Sequence, residues 1–363
     1  MGMTARERIL ACLNEEEPDK IPVCAWDYLR LGPQGGWKRR LSARGMGIIR
    51  HVPLHKPAFR VRYIDPHLED VKYIQIHYVE KGLLKYRHAF ETPVGTITGV
   101  IRKNPMEVDL VADSQEEYFV KERSDWRVVN YIFKGMLAKL APDYDYFERV
   151  DDELGDTGFT FGVVGKTPFQ RSWVELATLE RTLIDFEEQP EELQEYVEIQ
   201  RKLHTRIAEI VAASPAKFID ITDHVTDITP PVYYREYCMP FYEIYSKALK
   251  GTDKVLGSHM DGRFGHLKKE VAEAPFKVVE SLTVPPVGDI SLTEAKSIWP
   301  DKILFVNTPP HLALADREEV RKGYVALAEE WGSKKGLLIE HSEEMPLEKV
   351  EAHLSAALDV FGY

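Results

Sequence analysis

The stretch from residue 217 to residue 258 alternates between strand-like and helix-like sequence. It opens with Lys217-Phe-Ile-Asp-Ile-Thr222, a short apolar run typical of a buried strand. A helical pattern follows at about 232–250, and Lys254-Val-Leu-Gly-Ser258 is the next strand-like run. Strand, helix and strand at this spacing indicate a parallel βα unit.

The same alternation extends in both directions. Upstream, Phe159-Thr-Phe-Gly-Val-Val164 precedes helical patterns at about 172–186 and 190–213. Downstream, the apolar runs at 277–280, 302–307 and 336–340 precede helices that begin near 291, 316 and 347. With Ile21-Pro-Val-Cys-Ala-Trp26 this makes seven parallel strands, and an eighth is left open in the middle of the chain. No Gly-x-Gly-x-x-Gly follows a strand, so we predict a (β/α)8 barrel rather than an open doubly wound sheet.

The segment between the first and second strand-like regions has a different character. Alternating β-branched and aromatic residues at 71–102 predict an antiparallel meander. Residues 32–57 are rich in glycine, lysine and arginine, and we interpret them as a segment that is mobile or covers a ligand. The chain is therefore predicted to be one barrel domain, residues 1–363, with an antiparallel insertion at about 58–103.

Composition excludes several classes of protein. The 363 residues carry 47 lysines and arginines against 59 aspartates and glutamates, for a net charge of −12. This balance argues against binding to nucleic acid or anionic lipid, since both require a basic face. Three cysteines indicate a reducing compartment. Because neither a signal peptide nor a bilayer-spanning apolar run is visible, we predict a cytoplasmic protein.

Polar and titratable residues follow the predicted strands, at the end where barrels carry their active sites. Four of them are histidines. The members of this rim are Trp26, Tyr28, Asp223, His224, His259, Asp261, Glu280, Asn307, His311 and His341, with Glu294 in the first turn of a following helix. Imidazole and carboxylate groups suit a zinc site, and they suit acid–base catalysis without metal equally well. The spacing alone leaves both alternatives open.

Several segments of the chain resemble the uroporphyrinogen decarboxylase superfamily. They are Thr4-Ala-Arg-Glu-Arg-Ile-Leu through Pro18-Asp-Lys-Ile-Pro-Val, Thr92-Pro-Val-Gly-Thr, the helix with Tyr234-Arg-Glu-Tyr and Pro240, and the turn from His259 to Gly262. The resemblance runs along most of the chain. It implies a (β/α)8 barrel with an antiparallel insertion, as the strand pattern does independently.

Two activities of that superfamily have sequence signatures that this chain lacks. The arginine-rich Arg-Gln-Ala-Gly-Arg-Tyr segment of true decarboxylases is replaced by Trp26-Asp-Tyr-Leu-Arg-Leu-Gly-Pro. The His-x-Cys zinc motif of many corrinoid-dependent methyltransferases is replaced by His259-Met-Asp261. None of the three cysteines stands where a zinc thiolate would lie.

A third subgroup is more similar. The run from Val279 to Lys296, with Pro285-Pro-Val-Gly-Asp289 inside it, resembles the methyltransferases of anaerobic O-demethylase systems. The resemblance implies methyl transfer from an aryl methyl ether to a corrinoid carried by a partner protein, assisted by zinc. The zinc ligands that it implies are Glu280, Glu294 and His311. A leaving phenolate would take its proton from His259, Asp261 or His341.

Other residues of the rim are expected to bind the substrate because they follow the predicted strands. They are Trp26, Tyr28, Asp223, His224 and Asn307. The resemblance to the superfamily is also compatible with a homodimer. A tetrapyrrole decarboxylase, a corrinoid methyltransferase with a different methyl donor, and a non-catalytic barrel that binds a corrinoid or porphyrin stay open as alternatives.

Overall fold

The strands of the barrel occur at regular intervals along the chain. The computed structural model describes residues 2–27, 36–57, 68–103, 114–342 and 345–363. The strands are β1 (Val23–Trp26), β2 (Gly47–Pro53), β3 (His55–Lys56), β4 (Lys72–Glu80), β5 (Leu83–Thr92), β6 (Gly95–Arg102), β7 (Ser114–Glu117), β8 (Ala141–Pro142), β9 (Gly158–Val164), β10 (Phe218–Ile221), β11 (Val255–His259), β12 (Val278–Leu282), β13 (Ile303–Asn307) and β14 (Leu337–His341).

Eight of these strands, all parallel, close into a barrel in the order β1-β14-β13-β12-β11-β10-β9-β2. The predicted (β/α)8 fold is confirmed. The eighth strand is β2, which lies inside the region that we had interpreted as mobile or as a ligand cover. That interpretation is wrong for residues 47–53, because this segment is paired on both sides, with β1 and with β9.

Helices follow the barrel strands as the sequence pattern indicates. They are α1 (Ala5–Leu13), α2 (Gly36–Ala43), α3 (Asp125–Lys139), α4 (Tyr144–Leu154), α5 (Pro168–Arg171), α6 (Leu179–Glu188), α7 (Glu191–Ala212), α8 (Pro231–Tyr237), α9 (Met239–Leu249), α10 (Lys268–Glu273), α11 (Leu292–Ile298), α12 (Arg317–Trp331) and α13 (Leu347–Val360). Short 3-10 turns lie at Gly155–Thr157, Gly265–Leu267 and Pro310–Leu312. None of the helices in the described part of the chain has the length and apolar character needed to cross a bilayer.

The predicted helix at about 172–186 is divided in two. Residues Ser172–Leu176 form a π-helical turn, and α6 starts afresh after it. The Thr178 side chain caps α6 by accepting a hydrogen bond of 3.1 Å from the Arg181 N–H, which satisfies one of the free donors at the helix start. π-Helical turns occur often at functional sites, and this one carries Trp173.

The barrel interior is filled by interlocking aromatic rings. Phe161, Phe218 and Phe305 come from three strands, with ring centroids 4.6 Å apart for the closest pair. Gly257 makes room for this cluster, because a Cβ there would lie 2.4 Å from the Phe218 ring. The lower barrel is therefore a packed core, and chemistry is confined to the carboxyl ends of the strands.

Strands β4–β7 form a four-stranded antiparallel sheet outside the barrel. Its first three strands match the predicted meander. The fourth, β7, lies beyond the predicted limit of residue 103, and residues 58–67 fall outside the described part of the chain. Helix α3 packs on β6 and on α7, so it connects this sheet to the helical layer.

Candidate functional site

His259 lies at the carboxyl end of β11 and is held between two carboxylates. Its Nδ1 is 2.5 Å from Glu280 Oε2, and its Nε2 is 3.7 Å from Asp261 Oδ2. Burial alone would lower the pKa of His259, but the Glu280 and Asp261 carboxylates outweigh burial and raise that pKa well above its usual range. In return, although burial favours the neutral acid, the interaction with His259 lowers the pKa of Asp261 to about 2.

His224 completes a cluster with these two residues. Its Nδ1 is 3.1 Å from Asp261 Oδ1, and its ring stacks on that of His259 at a centroid distance of 6.3 Å. Burial lowers the pKa of His224, which keeps a ring nitrogen available as a ligand. The potential ligand atoms of His224, His259 and Asp261 all lie within 4.8 Å of one another.

This donor set fits a metal ion such as zinc, which binds histidine in its neutral form, so that binding would displace the proton that the two carboxylates favour on His259. Zinc sites that keep one position open for substrate commonly use three nitrogen and oxygen ligands from the protein. Metal-binding histidines usually have a carboxylate on their second ring nitrogen, and Glu280 occupies that position on His259. The Glu280 side chain is completely buried, and its Oε1 has no hydrogen-bond partner among the described residues.

A bulge in β12 positions the carboxylates behind this cluster. The pairing of β12 with β13 shifts register between Val279 and Leu282, and Ser281 has a φ of 69°, in the left-handed region. The Ser281 N–H therefore points inward and donates a 2.9 Å hydrogen bond to Glu340 Oε1. Backbone strain of this kind is concentrated at functional sites, and bulges re-aim side chains there.

Glu340 and Asp220 are two further buried carboxylates of the site. The Trp26 Nε1–H donates a 2.9 Å hydrogen bond to Glu340 Oε2. Burial raises the pKa of Glu340 and of Asp220 well above the usual range, and the Glu280 charge raises both further. We did not single out Asp220 from the sequence. The alternation of side chains along the strand could have identified it, because Asp220 lies on the same inward face as Phe218, two residues earlier.

Three predicted site residues contribute mainly internal contacts. Asp223 is buried and accepts hydrogen bonds from the Thr167 N–H at 2.7 Å and the Tyr242 hydroxyl at 2.7 Å. The Asn307 Nδ2 donates to the Ser281 carbonyl at 3.0 Å, so it supports the bulge. His341 is buried with its Nδ1 3.0 Å from the Thr308 hydroxyl.

The pKa of His341 is lowered, as that of His224 is, whereas the pKa of His259 is raised. Burial lowers the pKa of His341 to about 3, with a smaller effect of His353 in the same direction. A histidine with this pKa is neutral at physiological pH. It is therefore not poised to protonate a leaving group, the role that the sequence suggested for it.

The predicted metal triad of Glu280, Glu294 and His311 is not brought together as one group in the described residues. Glu294 lies in the first turn of α11, where its side chain pairs with Lys268. His311 lies on a short 3-10 turn at the surface. Of the three, Glu280 alone contacts the His224–His259–Asp261 cluster.

Aromatic side chains form part of the surroundings of the cluster. The Trp26 ring lies 4.4 Å from the ring of His51 and 5.7 Å from that of His259, and the Trp173 ring lies 5.5 Å from His224. Sequence reasoning missed His51, because strand β2 was not predicted. Tyr28, another predicted substrate contact, lies outside the described residues.

Comparisons with known proteins agree with this architecture. Residues 124–361 match the family model described as uroporphyrinogen decarboxylase (URO-D). The chain belongs to the uroporphyrinogen decarboxylase family. Among solved structures, this family member is similar to a methyltransferase from Methanosarcina mazei, with a TM-score of 0.59 and 13% identity over 99% of this chain and 100% of that one. At this identity the likeness concerns the fold. A search of curated protein sequences found no significant match.

Proposed function

We propose that this member of the uroporphyrinogen decarboxylase family is a methyltransferase. It transfers a methyl group from a methoxylated aromatic compound to the cobalt of a corrinoid carried by a partner protein. The observation that carries the proposal is the cluster of His224, His259 and Asp261 at the barrel mouth. The likeness to a methyltransferase and the lack of an arginine-rich segment after Trp26 support the same choice.

His224, His259 and Asp261 would hold a zinc ion. A bound zinc ion supplies Lewis acidity, which makes the ether oxygen a better leaving group. Glu280 orients the His259 ring through Nδ1 and so directs Nε2 towards the metal position. This assignment replaces Glu294 and His311 as ligands and gives Glu280 a supporting role.

Other side chains at the carboxyl ends of the barrel strands bind the substrate and protonate the oxygen that leaves. The rings of Trp26 and Trp173 flank the two histidines and offer apolar faces to an arene. The methyl carbon–oxygen bond breaks, the methyl group passes to the reduced cobalt, and the oxygen leaves with the bonding electron pair. Asp220 is our candidate for the acid that protonates this oxygen, because its raised pKa keeps a proton on the carboxyl group where surface aspartates are ionised.

The partner and the location are parts of the same proposal. Methyl transfer to cobalt requires a corrinoid protein to approach the carboxyl ends of the barrel strands. A cytoplasmic location agrees with the three cysteines, all of them buried and unpaired as disulfides.

The test mixes the purified protein with a reduced corrinoid protein and separate methyl donors: methoxybenzoates, methoxyphenols, methylamines and betaines. We expect the absorption spectrum of methylcobalt to develop with a methoxyarene and with stoichiometric zinc. His259→Ala should abolish the signal, and His311→Ala, a histidine outside the cluster, should retain it. Methylcobalt formed from an amine alone would redirect the donor assignment. No methylation from any donor, or carbon dioxide release from a porphyrinogen instead, would refute the proposed function.

A further inference from the structure

The loop after β11 carries Asp261 and is tied to the neighbouring strand. The Met260 N–H donates a hydrogen bond of 2.8 Å to the Glu280 carbonyl oxygen. The Gly262 N–H donates one of 3.3 Å to the hydroxyl oxygen of Thr283, the residue that follows β12. These two contacts hold the start of the loop, on either side of Asp261.

Asp289 holds the end of the same loop. Its Oδ1 accepts two hydrogen bonds, from the Phe264 N–H at 3.1 Å and from the Gly265 N–H at 3.0 Å. Hydrogen bonds that a carboxylate accepts from backbone N–H groups are about twice as strong as those between neutral groups. A Cβ at Gly265 would lie 2.9 Å from Asp289 Oδ2, so the glycine leaves room for the carboxylate to reach both N–H groups.

Asp289 ends the run Pro285-Pro-Val-Gly-Asp289, which the metal site itself does not use. The following helix does not need Asp289 as a cap, because Ser291 caps α11 by accepting a hydrogen bond of 3.2 Å from the Glu294 N–H. Gly288 brings the run close to the barrel, since a Cβ there would lie 1.7 Å from the carbonyl oxygen of the residue that follows β12. The run therefore places the Asp289 carboxylate against the loop after β11.

We propose that Asp289 is a positioning residue for the metal site and acts on Asp261 through the loop after β11. The inference rests on the proposed function, because it assumes a zinc ion held by His224, His259 and Asp261. His259 is the last residue of β11, so the closed barrel fixes its backbone. Asp261 lies beyond the strand, and the place of its carboxylate depends on the loop. Functional side chains must be held to within about 0.5 Å by such supporting contacts.

A competitive zinc titration of the metal-free protein tests this role. Asp289→Ala removes both hydrogen bonds and should weaken zinc binding about tenfold, the lower end of the range for residues that support a metal ligand. Asp289→Asn keeps an oxygen that accepts both bonds and loses only the charge, so its loss should be less than about threefold. Gly265→Ala disturbs the same contact from the other side, and its loss should fall between these two.

The matched control is Asp316→Ala. The Asp316 Oδ1 also accepts two backbone hydrogen bonds, from the Glu318 and Glu319 N–H groups at 2.9 Å each, but at the start of α12. Its removal should leave zinc affinity unchanged. Without zinc, amide hydrogen exchange over residues 260–267 should be faster in Asp289→Ala and unchanged in Asp316→Ala.

The outcomes separate the positioning role from the proposed function. An unmodified protein that does not bind zinc would refute the proposed function. A protein that binds zinc equally well with and without Asp289→Ala would refute the positioning role alone, and Gly265→Ala decides in the same way if Asp289→Ala does not fold. Unchanged hydrogen exchange in Asp289→Ala, or an equal loss of zinc affinity in Asp316→Ala, would also overturn the inference.

Discussion

Replacing Glu280 is the sharpest test of the proposed metal site at His224, His259 and Asp261. Glu280 is completely buried, and its Oε2 lies 2.5 Å from His259 Nδ1. Loss of the partner behind a metal-binding histidine typically weakens metal binding 10- to 100-fold, or about 1.4–2.7 kcal/mol. Glu280→Gln keeps an oxygen that accepts the Nδ1 hydrogen bond but removes the charge, so we expect about a tenfold loss. Glu280→Ala also removes the orientation of the ring, so we expect about a hundredfold loss.

The assay is a competitive zinc titration against a chromophoric chelator at fixed pH and ionic strength. Glu294→Gln is the matched control, because Glu294 is the other carboxylate that the resemblance implied as a zinc ligand, and the structure pairs it with Lys268. We expect its zinc affinity to equal that of the unmodified protein. Circular dichroism checks that each variant is folded. An unmodified protein without zinc affinity, an unaffected Glu280→Ala, or a Glu294→Gln as weak as Glu280→Ala would each refute the reasoning.

Three further predictions concern the stability of the barrel. Gly257→Ala should lower the free energy of unfolding by about 1–3 kcal/mol in urea, because the new Cβ would lie 2.4 Å from the Phe218 ring; an unchanged midpoint would contradict this packing. Thr4→Ala should cost about 1 kcal/mol in the same experiment, because it removes the capping box of α1, whereas Thr4→Ser should cost little. The third concerns pH: His341 has a folded pKa of about 3, so its contribution to stability is complete above about pH 6.5 and is lost as the pH falls towards 3, with a slope of about 1.4 kcal/mol per pH unit. His341→Gln should remove that part of the slope, and identical slopes for the two proteins would disprove it.

The alternation of strands and helices was readable from the sequence because each barrel strand after residue 158 is a short run of apolar residues. β10, β12, β13 and β14 are buried at every position, so they stand out against amphipathic helices. Helix α13 begins at residue 347, as predicted. The periodicity alone therefore gave the fold class.

The second barrel strand escaped prediction for a physical reason. β2 reads Gly47-Ile-Ile-Arg-His-Val-Pro53, and two polar residues interrupt its apolar run. Arg50 is accommodated by tertiary partners, since it donates hydrogen bonds to Asp27 at 2.6 Å and to Glu153 at 2.9 Å. These partners are 23 and 103 residues away, beyond the range of any local pattern. Missing this strand also removed His51 from the predicted site.

The candidate site was predictable in position and less so in its internal pairing. Both His259 and Glu280 follow strands and so lie at one rim of the barrel. From the sequence, however, His259 was a candidate proton donor and Glu280 a candidate zinc ligand. The register of β11 with β12 makes them direct neighbours, since His259 pairs with Glu280 across the two strands. Parallel strands offset by even one residue would turn one of the two side chains to the opposite face. The contact therefore depends on register, which the closed barrel sets through all eight strands together. The roles of the individual residues in the site therefore depend on the fold as a whole. They cannot be assigned from a list of the residues at the strand ends.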